Sequence, residues 1–296
     1  MTEDTFPRIE VGEWASAGLD WLTDHLDPVF DAMSDGMGWV IQLLTDVLLA
    51  PPALVTIAVF ALLAWAVRSW QLALGTVLSF ALVVSMRQWE NAMLTLALVL
   101  VATLVAVLVA VPLGIASARS SRVSAVVRPL LDLMQTMPAF VYLIPAIIFF
   151  SVGVVPGLFA TVIFALPPGV RFTELGIRQV DAETVEAGHA FGATPRQILR
   201  GIQMPLATPT IMAGVNQVIM LALSMAVIAG FVGADGLGKE VVSSIASLNI
   251  PQGVEAGLGV VVLAIFLDRL TAALGDPGQY PGSLRAVLRR RLARTP

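Results

Sequence analysis

Seven apolar stretches mark the chain, at about 50–67, 71–86, 92–117, 139–153, 156–171, 210–231 and 257–274. A helix needs about 20 mostly apolar residues to cross the hydrocarbon layer of a bilayer, so each stretch predicts a membrane-spanning helix. The fourth and fifth are short and interrupted by Pro145, Pro156, Pro167 and Pro168, which lipid tolerates only where neighbouring helices satisfy the freed carbonyls. Pro112 should bend the third. Ahead of the first span, Trp14, Gly18, Trp21, Leu22, His25, Val29 and Phe30 recur at helical spacing with acids between them. That pattern predicts an amphipathic helix on the outer membrane surface. A second amphipathic piece, Trp39 to Leu49, leads into Pro51 and Pro52. The expected fold is all-α, a polytopic bundle of about seven spans: an acidic N-terminal tail with interfacial helices over 1–49, the transmembrane domain over 50–274, and a basic tail over 275–296.

Composition supports lipid as the solvent. The chain is 57% hydrophobic and 13% charged, against about 25% charged in an ordinary soluble domain; a water-soluble fold would have to expose large apolar patches. The net charge of -4 hides a segregation, because residues 1–46 hold ten acids and one basic residue, Arg8, whereas five arginines and no acid follow residue 277. With an odd number of spans, Arg8, Arg87 and Lys239 fall on one side and the other 14 of the 17 basic residues on the opposite side. Cytoplasmic loops retain positive charge, so the N-terminus is expected outside and the C-terminus inside. The acidic start lacks the basic region of a signal peptide and is expected to be retained. The absence of cysteine excludes disulfides and thiolate chemistry. His25 and His189, the only histidines, fall on opposite sides and build no metal site.

The one long cytoplasmic loop, 172–209, carries strong local signals. Asp181 can cap a helix running to about Phe191, and Gly192 supplies the left-handed residue that closes it. Thr194 can cap the next helix, with Pro195 at its first position and Gln197 completing a capping box, and Pro205 is expected to stop it. Two short helices joined at a glycine make a stiff knob outside the membrane. Within it, Glu186-Ala187-Gly188, three residues, Gly192, nine residues, then Ile202-Gln203-Met204-Pro205 resembles the EAA loop of ABC importer permeases of the binding-protein-dependent type. The departures are Gly188 for the third Ala of that motif and Met204 for its Leu. The resemblance implies a type I importer fold in which this loop seats in a groove of a separate ATPase. Glu186, Ala187, Gly192, Ile202 and Pro205 occupy motif positions, and Gly188, Thr194 and Pro195 complete the expected coupling surface, with small residues at 187 and 188 letting the partner approach closely.

Residues 131–146 and 204–229 are in turn similar to permeases of glycine betaine and proline betaine importers. That likeness implies compatible solutes bearing a quaternary ammonium and a carboxylate, although importers of other amines or amino acids share the loop. It also implies two ATPase copies that bind the ATP and Mg, an extracytoplasmic solute-binding protein, a homodimer of permease chains, and a bacterial inner membrane. No catalytic residue, cofactor or nucleic-acid partner is expected of this chain.

Other signals are weaker. Gly233 to Glu240 nearly spells a phosphate-binding loop, but Glu240 stands where a magnesium-binding hydroxyl is required; a glycine-rich turn into a short outer helix is the expectation. Quaternary ammonium is commonly held by aromatic cages, yet no Trp falls in spans three to seven, so capture is expected in an external protein. Asn216, Gln217 and Ser224 lie on the sixth span, where helix-packing hydrogen bonds and a translocation path explain them equally well. Asp132, beside Gln135 and Thr136, reads as a cap or loop contact. No ionisable residue falls well inside a span, with Asp268 and Arg269 near the cytoplasmic end of the seventh, which argues against an ion-driven transporter. A non-transporting scaffold would leave the EAA spacing unexplained.

Overall fold

The structure, a computed structural model, describes residues 10–275, 280 and 282–284; the five tail arginines expected inside lie outside the described residues. The N-terminal segment forms one helix, α1 (Val11–Leu49), rather than two pieces, and passes through Pro28 without a break. Asp20, Asp24, Asp27, Asp31 and Asp35 lie three or four residues apart on one exposed face. Away from that face, Ile41 and Leu48 are buried and Phe30 stacks on Phe149 at 4.4 Å. The chain then turns by 99° into α2 (Ala53–Val67), so α1 lies across the direction of the next helix.

Arg68 and Ser69 join α2 to α3 (Trp70–Ser85), where the Ser69 hydroxyl caps by accepting from Leu72 N. α4 (Trp89–Arg119) carries Pro112 inside it. The expected fourth span is not one straight helix. An unexpected amphipathic helix, α5 (Ser121–Thr136), is followed by a 3-10 turn over Ala139–Tyr142 and a short α6 (Leu143–Phe150), with a bend of 108° between the pieces. Pro138 disfavours helical backbone in the residue before it, and Met137 is extended. Arg122, Arg128 and Asp132 thin the apolar pattern of α5, which is why hydropathy alone missed it.

α7 (Val154–Arg178) continues through Pro167 and Pro168 and beyond the expected end at 171. It leads into α8 (Ala182–Ala190) and α9 (Pro195–Ile198), then through a π turn, Leu199–Gln203, into α10 (Met204–Ile228). α11 (Leu237–Ser247) and α12 (Ile250–Gly275) follow. Among the described residues, four helical runs are long and apolar enough to span, or up to six if each bent pair is one span, and α3 is a shorter apolar helix. The expected seven thus includes segments broken or shortened by prolines and turns.

α7 packs along both α4 and α10. Small residues allow the close approach: a side chain at Gly169 would strike Ala110 of α4, and one at Gly214 would strike Phe172 of α7. Without a hydrophobic drive between helices in lipid, such close packing is what holds them together. Phe60, Phe80 and Phe266 meet at 5.1 to 5.3 Å and tie α2 and α3 to α12.

Candidate functional site

The knob between α7 and α10 is built by short-range chemistry. Asp181 caps α8, accepting from Glu183 N at 3.2 Å. The chain leaves α8 through Gly192 at φ +78, a conformation that costs an L side chain about 1–2 kcal/mol. Gly192 N donates to His189 O at 2.9 Å and Ala193 N to Gly188 O at 3.1 Å, which closes the turn. Thr194 then opens α9 with a full capping box: Gln197 N donates to the Thr194 hydroxyl and Thr194 N to Gln197 Oε1 at 2.7 Å. A cap of this kind is typically worth about 1 kcal/mol.

Two expectations for the knob need correction. Pro205 does not stop the second helix; Pro195–Val232 is one continuous helical run of 38 residues, about 57 Å at 1.5 Å per residue. In the π turn Met204 N donates to Leu199 O, five residues back. The donor that Pro205 lacks falls where the hydrogen-bond register changes, so the helix survives it. The second correction concerns Gly188, which is buried and faces inward rather than towards a partner. A side chain there would meet Ile202 Cδ1 at 2.7 Å, so its small size seats Ile202, another motif residue, against α8. Ala187 and Pro205 are exposed. Glu186 lines a cleft of about 400 Å³ with His189, Gln203, Ala118 and Arg178, at the root of the knob.

Phe191, which the motif spacing did not single out, is the C-cap of α8 and 92% exposed. The ring lies outside the membrane-spanning runs, between the one ending at Arg178 and the one beginning at Pro195. Its only trace in the sequence is an aromatic residue beside the turn glycine in an otherwise polar loop.

The polar residues of the sixth span separate. Asn216 donates through Nδ2 to Asp268 Oδ1 at 2.8 Å and accepts from the Thr271 hydroxyl at 2.7 Å, so it bonds α10 to α12. Gln217 and Ser224 are instead exposed, seven residues apart on one face of α10 with Met220 between them. The Ser224 hydroxyl satisfies itself on Met220 O at 3.0 Å. Exposed amide and hydroxyl groups suit a watery path or another chain better than lipid.

The glycine-rich segment forms a turn, not a nucleotide loop. Leu237 N donates to the Thr95 hydroxyl of α4 at 2.9 Å, and Lys239 is held by Asp235 at 2.6 Å, whose hydrogen bond and charge raise the lysine above its usual range. Asp132 pairs with Arg171 of α7 rather than capping a helix.

Residues 110–276 match the family model described as binding-protein-dependent transport system inner membrane component. The chain is 47% identical over 277 residues to the glycine betaine/proline betaine transport system permease protein ProW of Escherichia coli (strain K12), covering 94% of this chain and 78% of that protein. It is 48% identical over 269 residues to the glycine betaine transport system permease protein OpuAB of Bacillus subtilis (strain 168), covering 90% and 95%. Among solved structures, an inward-facing conformation of the MetNI methionine ABC transporter superposes with a TM-score of 0.55 at 22% identity, covering 64% of this chain and 93% of that one. That similarity speaks to the fold alone.

Proposed function

Because the chain belongs to the family of binding-protein-dependent transport system inner membrane components, and is an ABC importer permease of the bacterial inner membrane, we propose that it moves glycine betaine, proline betaine or a related quaternary amine, driven by a separate ATPase. The observation that carries this reading is the knob: a capped hairpin with a bare aromatic beside its turn, continuous with a membrane helix of spanning length. ATP and Mg belong to two copies of that ATPase. A second copy of this chain completes the pore, and a loaded solute-binding protein docks on the outside. The substrate class rests on the relatives named above and on segments 131–146 and 204–229.

On this reading Glu186, Ala187, Gly192, Thr194, Pro195, Ile202 and Pro205 form or frame the coupling surface, with Gly188 packing it from within. Gln217 and Ser224 line the path, and Asn216 serves by fixing α10 to α12. An ion-driven mechanism finds little support. α7 does hold a buried acid, Glu174, but two arginines occupy it, leaving no free carboxylate there for ion coupling.

The test is uptake of labelled betaine into vesicles carrying the chain with its ATPase and binding protein, in competition with excess choline, carnitine, proline or methionine. Competition by quaternary amines is expected. Competition by methionine alone would replace the substrate class while leaving the permease assignment intact. The orientation has its own check: a reporter fused after Pro296 should read out in the cytoplasm, and an external signal would invert the topology.

A further inference from the structure

Glu174 lies four residues before α7 ends and seven before the Asp181 cap of the knob. Its side chain is 5% exposed. Oε1 accepts from two residues of α5, Ser124 Oγ at 2.8 Å and Arg128 Nη2 at 3.0 Å, and is ion-paired with Arg178, whose Nε lies 2.9 Å away one turn further along α7. Arg178 also donates through Nη2 to the carbonyl of Ser117 on α4 at 2.8 Å. One carboxylate therefore gathers the cytoplasmic ends of three helices, beside the root of the knob.

The chemistry makes this joint directional. Charge-assisted hydrogen bonds fix geometry as well as distance, and a buried carboxylate that loses its partners is strongly disfavoured. A shift of α7 must either carry α5 with it or strip Glu174. A second ion pair, Asp132 of α5 with Arg171 of α7, is exposed on both sides and so holds the helices weakly; the buried contact between them is otherwise apolar, with Val127 and Leu131 of α5 packed near Val170 of α7, and apolar contact is non-directional. At its far end α5 enters the 108° bend at Met137 and Pro138. That bend is where the broken span turns towards α6.

Resting on the coupling reading above, we propose that Glu174 is a positioning residue: it passes movement of the knob from α7 to α5 and so to the bend before Pro138, without touching solute or ATPase. The knob is continuous with α7 and α10 only, so α5 needs such a link to follow it.

The test uses vesicles containing the chain with its ATPase and binding protein. Glu174→Gln keeps the shape and a hydrogen bond to Ser124 but removes the charge that holds both arginines. Solute moved per ATP hydrolysed should fall at least tenfold while the complex still assembles and hydrolyses ATP. A wild-type ratio overturns the proposal. If that variant fails to assemble, the cysteine-free chain permits a second. Ser124→Cys with Glu174→Cys is joined by a short bis-methanethiosulfonate bridge that reductant cleaves. Transport that recovers on bridging and is lost on cleavage supports a mechanical link, and no recovery overturns it. Wild-type chain that moves no betaine in the same vesicles would instead bring down the functional reading itself.

Discussion

Phe191→Asp is expected to release the ATPase subunit from this permease. Phe191 stands 92% exposed at the end of α8, beside the turn that joins it to α9. Aromatic anchors of this kind typically contribute about 2–4 kcal/mol when they fill a partner's pocket. Removing the ring should therefore weaken the complex about 30- to 1,000-fold, and aspartate adds a charge that such a pocket cannot solvate. The check is co-elution of the two subunits in detergent, followed by titration of the ATPase onto immobilised permease. The variant should insert and elute normally, since Phe191 contributes little to the chain's own core. An unchanged affinity would remove Phe191 from the contact.

The second large effect is expected at Gly192. Nothing lies within 4 Å of a side chain built there, yet its φ is +78. Space is available and only the backbone objects. Valine, stiff at its β-carbon, resists the left-handed region more than most residues. To escape, the turn would give up the bonds from Gly192 N to His189 O and from Ala193 N to Gly188 O, and Phe191 would point elsewhere. Gly192→Val should reduce betaine uptake at least tenfold while leaving membrane insertion intact. The ranking across substitutions is diagnostic: Asn, which tolerates this region, should retain more uptake than Ala, and Ala more than Val. Equal uptake by all three would show that the left-handed turn is not needed.

Both effects arise in a segment whose geometry is written in short-range signals. The caps at Asp181 and Thr194, the left-handed Gly192 and the capping box with Gln197 depend on neighbours within a few residues, so the chain's own order reveals them. Features that depend on distant partners were not legible in the same way. Pro205 reads as a helix stop, but a π turn upstream absorbs its missing donor. Gly188 reads as a surface residue, but Ile202 folds over it. Glu174 lies past the apparent end of an apolar stretch, and only α5 and α4 reveal it as the buried centre of an ionic joint. α5 itself was hidden because its polar face turns to Glu174 and Asp132 turns to Arg171, leaving too few apolar residues to register as a span.

The same distinction separates Asn216 from Gln217. Adjacent in sequence and alike in chemistry, they differ only in where the helix aims them: one to Asp268 and Thr271 of α12, the other outward. A list of polar residues in an apolar run therefore mixes bonds that hold helices together with groups left exposed on the helix surface.

The central claim is that this chain is a pore moved from outside by an ATPase through its knob. It is tested most directly by betaine accumulation in sealed vesicles holding the permease and its binding protein, with ATP supplied, measured with and without the ATPase subunit. Accumulation above the external concentration should appear only when the ATPase is present. Uphill accumulation by the permease without it would contradict the claim.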